Sequence, residues 1–257
     1  LPIPDNLIIP INGLSDQVRG FCSTRQGGVS IAPYQALNLG LHVGDDPQAV
    51  QANRALLNTN LPKPPIWLNQ VHGTTVFDAD QPFEINAQHH VPTADAAVTT
   101  QTERPLAILT ADCLPIVIAN HSGTVLGVAH AGWRGLAEGV LEATLQAMQQ
   151  ATPAMQNWSA WVGPGIGTKA FQIGQDVYNT FVKQSAAYAV FFTPDPRDPS
   201  KWFADLAGLA CHRLSSLGAQ SIYQSQRCTV TEAQQFFSYR REGRTGRMAT
   251  VAWLAGG

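Results

Sequence analysis

Three short segments concentrate residue types that bind metals, transfer protons or attack carbonyl carbons. They are Gln70-Val71-His72-Gly73, Thr110-Ala111-Asp112-Cys113-Leu114-Pro115 and His130-Ala131-Gly132-Trp133-Arg134-Gly135. The last reads as a strand with a histidine at its tip, two glycines and the start of a helix. A side chain at such a tip points into the mouth of a fold, and glycines let a ligand approach the backbone. Each residue also has an ordinary structural reading. His72 beside Gly73 suits a hydrogen-bonded turn, and Cys113 among apolar neighbours suits a packed thiol. His130, at a strand-to-helix junction, has less reason to be there for packing. A metal site is one chemistry open to the set. A metal-independent hydrolase with Cys113 as nucleophile and His130 or His72 as base is another. A non-catalytic binding module is a third.

The elements that must position these segments mix strands and helices. Ile66–Phe77 reads as extended, interrupted by Asn69, Gln70 and Gly73. Two apolar runs, Leu106–Leu109 and Ile116–Ala119, flank Thr110–Cys113, and Thr124–Ala129 reads as a buried strand. Leu136–Gln150 carries Leu136, Val140, Leu141, Leu145 and Met148 on one helical face. Trp161-Val162 leads into the turn Gly163–Gly167. Asp176–Ser185 and Phe203–Leu217 are further expected helices, and Ser221–Tyr223 and Met248–Leu254 late strands. The regular βαβ rhythm of a doubly wound sheet is missing, so the expected fold is α+β and layered. The 257 residues show no linker, charge block or short-period repeat, and we expect one domain spanning residues 1–257.

Composition narrows the partners. Charged residues make up 13% of the chain and apolar ones 44%, with 16 basic against 18 acidic residues and a net charge of −2. Nucleic acids require a concentrated positive field, so none is expected as a partner. The stretch Leu1–Ser15 is broken by Pro2, Pro4 and Pro10 and has no basic flank, so it is expected to be neither signal peptide nor membrane anchor. Cysteines 22, 113, 211 and 228 form no CxxC pair and read as reduced thiols, consistent with an expected cytoplasmic location.

The segments QVHG, TADCLP and AHAGWRG, in this order, resemble the signature of the YfiH or laccase-domain family, whose members are variously called polyphenol oxidases, purine nucleoside phosphorylases and peptidoglycan editing factors. The resemblance extends to Phe21–Ser30 (a TRxGGVS-like element), Leu37–Gly40, Val43–Asp46, Gly163–Gly167, Phe236–Arg241 and Thr245–Arg247. It covers nearly the whole chain in register. It implies a layered αββα-type sandwich with mixed sheets, and it implies that His72, Cys113 and His130 are metal ligands. Two imidazoles and a thiolate suit a borderline-soft ion such as Zn²⁺, with Cu²⁺ as an alternative occupant, and three protein ligands leave a fourth position for water or substrate.

The resemblance further implies phosphorolysis of adenosine, inosine or methylthioadenosine, and hydrolytic deamination of adenosine. For these reactions Asp112 is the candidate acid or base, with orientation of a ligand histidine as its alternative role. Arg134, at the helix opening near Leu136, is the candidate phosphate seat. Arg25, Arg240, Arg241 and Arg247 are candidates to complete that seat, each with a salt bridge as the ordinary alternative. Asn38 and Gln70 are candidates for a ribose or purine edge, or for turn caps. The expected partners are a nucleoside and phosphate, with no nucleic acid or membrane, and the chain itself a monomer or weak oligomer. A blue multicopper oxidase would need about ten histidine ligands by the usual donor chemistry, whereas the chain has seven histidines. Copper-dependent polyphenol oxidation at the single site and a Cys–His hydrolase acting in peptidoglycan editing remain the alternatives. His89-His90 reads as a solvated loop, His212 as helix packing and Trp133 as a wall of the site.

Overall fold

Residues 106–131 set the architecture, because three successive strands there are buried on both faces. A computed structural model describes residues 4, 7–82 and 91–256; the His89-His90 doublet lies outside the described residues. In chain order the strands are β1 (Ile8–Pro10), β2 (Val18–Ser23), β3 (Val76–Asp78), β4 (Ala96–Thr99), β5 (Leu106–Thr110), β6 (Leu114–Asn120), β7 (Leu126–Ala131), β8 (Trp158–Val162), β9 (Gln172–Gly174), β10 (Phe192–Pro194), β11 (Lys201–Ala204), β12 (Ser221–Gln224) and β13 (Met248–Leu254). The α-helices are α1 (Pro47–Asn58), α2 (Trp133–Glu138), α3 (Val140–Ala151), α4 (Gln175–Val182), α5 (Leu206–Ser216) and α6 (Tyr239–Glu242).

Two sheets stack face to face. One is antiparallel in the order β1-β2-β13-β5; the other is mixed, in the order β12-β8-β6-β7-β4-β3, with parallel pairs at both ends. Strand periodicity divides the core into layers. Leu106 and Ile108 of β5 and Met248, Ala252 and Leu254 of β13 face Val117, Leu126 and Val128 of the mixed sheet. The alternate residues Ala107, Leu109, Ala249 and Val251 face the opposite way and pack with Leu57 of α1. On the far face of the mixed sheet, Ile116, Ile118 and Ala129 are covered by α3 and α5 through Leu141, Leu145, Met148, Leu209 and Leu214. The result is the expected αββα sandwich in one domain, with the small antiparallel sheet β10-β11-β9 beside it. Among the described residues, no helix is long and apolar enough to cross a membrane.

Three expectations need correction. The helix expected over Leu136–Gln150 begins earlier, at Trp133, and breaks at Gly139, whose φ of 100° ends α2 and opens α3. Only Val76 and Phe77 of the extended Ile66–Phe77 run join a strand, while Ile66 and Asn69 make isolated bridges to Leu106 and Thr93. Phe203 belongs to β11, and α5 starts at Leu206 because Asp205 caps it by accepting the N–H of Gly208. Elsewhere the late strands fall as expected, and the cysteines are free thiols.

Ile108 is fully buried between the sheets and leads into Thr110–Cys113. Ile108→Ala is expected to lower stability by about 2–5 kcal/mol, read as a lower urea midpoint at unchanged m-value.

Candidate active site

At one end of the stacked sheets, β5 turns into β6 and β7 runs into α2, and the three reactive segments meet. Ligand atoms of His72, Cys113 and His130 lie within 4.8 Å of one another, the one such grouping of three or more His, Cys, Asp or Glu among the described residues. The Cys113 Sγ is 3.8 Å from His72 Nε2, and the two imidazoles stand edge to face with centroids 4.7 Å apart. Register explains the convergence. Pro115 pairs with His130 and Leu114 with Ala131, so Cys113 lies beside Gly132. A Cβ on Gly132 would stand 2.9 Å from Cys113 Sγ and 3.1 Å from His72 Cδ2, so only glycine lets the donors close up.

The residue that organises this cluster is Asp95, which sequence reasoning missed. Its carboxylate is fully buried just before β4. Oδ1 accepts the His72 N–H at 2.9 Å, and Oδ2 accepts those of Val71 at 3.1 Å and Gly73 at 2.7 Å. Three consecutive N–H groups thus form a nest around one anion, with His72 at a φ of 63°, in the left-handed region that non-glycine residues rarely adopt. The same carboxylate meets His130 Nδ1 at 2.8 Å. With Nδ1–H donated to Asp95, Nε2 of His130 is left to face Cys113 and His72 as a metal donor. A carboxylate isolated in the small apolar run Thr93-Ala94-Asp95-Ala96-Ala97-Val98 was the available signal.

The electrostatics fit a metal-binding set. Burial pushes the Cys113 thiol up, but the charges and hydrogen bonds of His130 and His72 outweigh it, and the thiol is pulled down to about 6. Burial pushes His130 down, yet the Cys113 thiolate and the hydrogen bond to Asp95 hold its imidazolium up to about 9. Burial likewise raises Asp95, but hydrogen bonds from His130, Gly73 and Val71 leave it below its ordinary value. Between about pH 6 and 9 these shifts favour a thiolate beside an imidazolium, whose proton a cation can replace.

These donors line a cavity of about 480 Å³. Trp133, Ile166, Phe171 and Leu206 give it an apolar wall, and Arg134, Arg240 and Arg247 a cationic one. His42, which sequence reasoning also missed, lines it from a 3₁₀ turn, Leu41–Val43; burial and the nearby charges of Arg247, Arg54 and His130 hold its imidazole below its ordinary value.

Residues 19–255 match the family described as multi-copper polyphenol oxidoreductase laccase. The chain belongs to this family. It is 43% identical over 239 residues to the purine nucleoside phosphorylase of Haemophilus influenzae, covering 92% of this chain and 94% of that one. It is 42% identical over 251 residues to the purine nucleoside phosphorylase YfiH of Escherichia coli K12, covering 96% and 98%. Among solved structures, Neisseria meningitidis protein NMB0706 superposes with a TM-score of 0.88 at 40% identity, covering 97% of this chain and all of that one. YlmD of Geobacillus stearothermophilus gives a TM-score of 0.81 at 29% identity, covering 94% and 93%. The family's description speaks of several coppers, whereas the donors assembled here suit one ion.

The remaining candidates divide between the cavity and its supports. Asp112 lines the cavity at a φ of 96°; its Oδ1 accepts from Thr229 Oγ1 and its Oδ2 from the Arg240 backbone N–H, both at 2.6 Å. No bond joins it to either histidine, so the ligand-orienting carboxylate is Asp95. Gln70 lines the cavity too, but its amide spans both backbone groups of Leu109. Arg134 is exposed, stacks on Trp133 and has no hydrogen-bond partner among the described residues. Arg240 donates to the Ala170 and Gln172 carbonyls. Arg25, Arg241 and Asn38 lie outside the cavity lining. Arg25 and Arg241 share Glu242 and donate to the Ala233, Thr229, Val230 and Phe236 carbonyls, bracing the segment that presents Arg240. Asn38 is buried, bonded to Asp45, Gly40 and the N–H of Arg247. Cys228 Sγ accepts the Gly167 N–H, and His212 packs on Tyr188 and Phe191.

Two outcomes follow. Binding a metal must displace the His130 proton at any pH below about 9, and the Cys113 proton as well below about 6. Apparent Zn²⁺ affinity should therefore fall about tenfold per unit as pH drops from 9 towards 6, and more steeply below, measured by competition with a chromophoric chelator. Asp95→Asn keeps the shape but loses the charge and one acceptor oxygen; metal affinity should drop about 10–100-fold in the same assay.

Proposed function

We propose that the chain is a zinc-dependent purine nucleoside phosphorylase acting on adenosine, inosine or methylthioadenosine, with a secondary adenosine deaminase activity. The observation that carries this reading is the division of one cavity. A His–Cys–His donor set holds one wall, and three arginines without a carboxylate within ion-pairing distance among the described residues line another. The relatives named purine nucleoside phosphorylase, which align over nearly their whole length, support it.

The residues' work can be derived from where they stand. Arg134, Arg240 and Arg247 attract and orient the phosphate dianion, because a guanidinium with open donors binds phosphate oxygens in a fork. The first turn of α2 adds to this, since Leu136 makes its first 5→1 bond, to Gly132, and the N–H groups before it are unused by the helix. Trp133 and Phe171 present flat apolar surface suited to a purine. One phosphate oxygen attacks C1′ of the ribose, the bond from C1′ to N9 breaks, and the purine leaves with the electron pair and takes up a proton. Asp112 is our candidate for handling that proton, as it lines the cavity while anchoring the Arg240 backbone. His72, Cys113 and His130 would hold the zinc, which would supply Lewis acidity and, for deamination, activation of water.

A second reading rests on the Cys113–His72 approach of 3.8 Å and the depressed thiol, which also describe an activated nucleophile in a Cys–His hydrolase of peptidoglycan editing. Such a hydrolase keeps its activity after chelation; the zinc enzyme loses it. Copper in the same donor set would give the polyphenol oxidation that the family's description names.

The deciding measurement incubates zinc-loaded protein with adenosine, with and without phosphate. Adenine and ribose 1-phosphate that appear only with phosphate support phosphorolysis, and inosine marks deamination. Neither product at stoichiometric zinc would sink the proposal. Arg240→Met should raise KM for phosphate by about tenfold or more, the loss of one charge-assisted contact, and change KM for the nucleoside much less.

A further inference from the structure

Beside the main cavity lies a second hollow of about 390 Å³, and the two share His42, Tyr239 and Arg247. The chain builds it from a sharp turn. The short helix α6 ends at Gly243, whose φ of 68° swings the backbone round, so that Arg244 and Thr245 line the annex next to Arg247. Among the described residues, the Arg244 side chain donates only to Tyr34 Oη and the Gly44 carbonyl, and that of Arg247 only to the Thr245 and Gly246 carbonyls. Neither has a carboxylate within ion-pairing distance among the described residues, whereas Arg25, Arg197, Arg213, Arg227 and Arg241 each have one. Arg247 is half-buried, and desolvation depresses its guanidinium despite the distant acids Cys113 and Asp112. Two neighbouring guanidiniums, left without counter-charge in a concave space, form a site that an anion completes.

We infer that this annex receives a phosphate monoester carried by the substrate itself, so that purine nucleoside 5′-monophosphates are substrates of the main cavity. The inference rests on the phosphorylase reading for its chemistry and on the annex alone for its binding. Three observations favour the substrate's own phosphate over a free one. The two hollows adjoin at His42, Tyr239 and Arg247, so a molecule reaching across those residues would occupy both. Tyr239, 62% exposed at that wall, gives a ribose an apolar face to rest on between them. The attacking phosphate keeps Arg134 and Arg240, which line the main cavity and not the annex, while Arg247 lines both. For adenosine 5′-monophosphate, an oxygen of hydrogen phosphate bonds to C1′ and the C1′–N9 bond breaks. The adenine departs with the electron pair and receives the proton that the phosphate gives up. The products are adenine and ribose 1,5-bisphosphate, with no oxidant or further reactant needed.

The test compares adenosine with adenosine 5′-monophosphate, using zinc-loaded full-length protein at fixed phosphate. KM for the monophosphate should be at least about tenfold lower, one charge-assisted contact's worth. Arg244→Met should erase that advantage and leave the adenosine constants within about twofold, while Arg244→Lys, which keeps the charge, should retain most of it. Calorimetric titration with the two compounds in phosphate-free buffer reads the annex without turnover. A tighter monophosphate that loosens in Arg244→Met supports the annex even if neither compound is cleaved, in which case the phosphorylase reading fails by itself. Equal constants for the two compounds overturn the inference, as does an Arg244→Met effect of the same size on both. An annex that takes up only free phosphate gives equal constants and therefore counts against it.

Discussion

A buried carboxylate with no lysine or arginine at hand is costly unless every lone pair it turns inward finds a donor. Asp95 meets that demand with four: the N–H groups of Val71, His72 and Gly73, and Nδ1 of His130. Those donors come from two segments nearly 60 residues apart. The register of β4 on β7 makes the meeting inevitable. Ala96 pairs with Ala129, and the Asp95 carbonyl accepts the His130 N–H at 2.7 Å, so carboxylate and imidazole belong to adjacent positions on neighbouring strands. A one-residue slip would turn the carboxylate to the opposite face. The candidate metal donors therefore inherit their geometry from a sheet register, not from flexible loops.

The layering explains why the site lies where it does. His130 shares its strand face with Leu126 and Val128, and Thr110 shares its face with Leu106 and Ile108, all four of these apolar residues lying between the two sheets. Following those faces to the strand ends leads out of the inter-sheet core and into the cavity. The apolar layer that stabilises the sandwich thus ends in a polar, donor-rich mouth. Glycine at 132 and the left-handed backbone at His72 and Asp112 are the local adjustments that this crowding demands.

Much of this was legible in the sequence, and the parts that were not share a physical cause. Continuous apolar runs such as Leu106–Leu109 and Met248–Leu254 announce strands buried on both faces, and the layered fold follows from them. The helix over Leu136–Gln150 was readable as a face, but its break was not, because a single Gly139 costs a helix little until tertiary packing uses its positive φ. The early strand β2 and helix α1 were passed over because Val18–Ser23 and Pro47–Asn58 are half polar and gain their burial from the β13 and β5 partners far along the chain. The three reactive segments stood out because histidine and cysteine are rare at strand ends. Asp95 did not, since an aspartate between alanines carries no mark of what will be folded against it. His42 was missed for the same reason.

The arginines show the limit most clearly. From sequence, Arg134 stood apart by its helix opening, and Arg25, Arg240, Arg241 and Arg247 were equivalent: cations in a chain poor in charge. The fold separates them by what answers each guanidinium. Arg25 and Arg241 converge on Glu242 and on backbone carbonyls, so their charge is neutralised within the protein and their effect on the site is mechanical. Among the described residues Arg134, Arg240 and Arg247 have no such acid, and they stand around a cavity whose own acidic groups, Asp112 and Cys113, are already engaged by Thr229, the Arg240 backbone and the histidines. When a divalent ion joins the three donors, positive charge in the cavity exceeds what these groups can offset. A dianion that enters would restore the balance. On the phosphorylase reading, that cationic excess would supply both an affinity for phosphate and the reason for its placement beside the donor set.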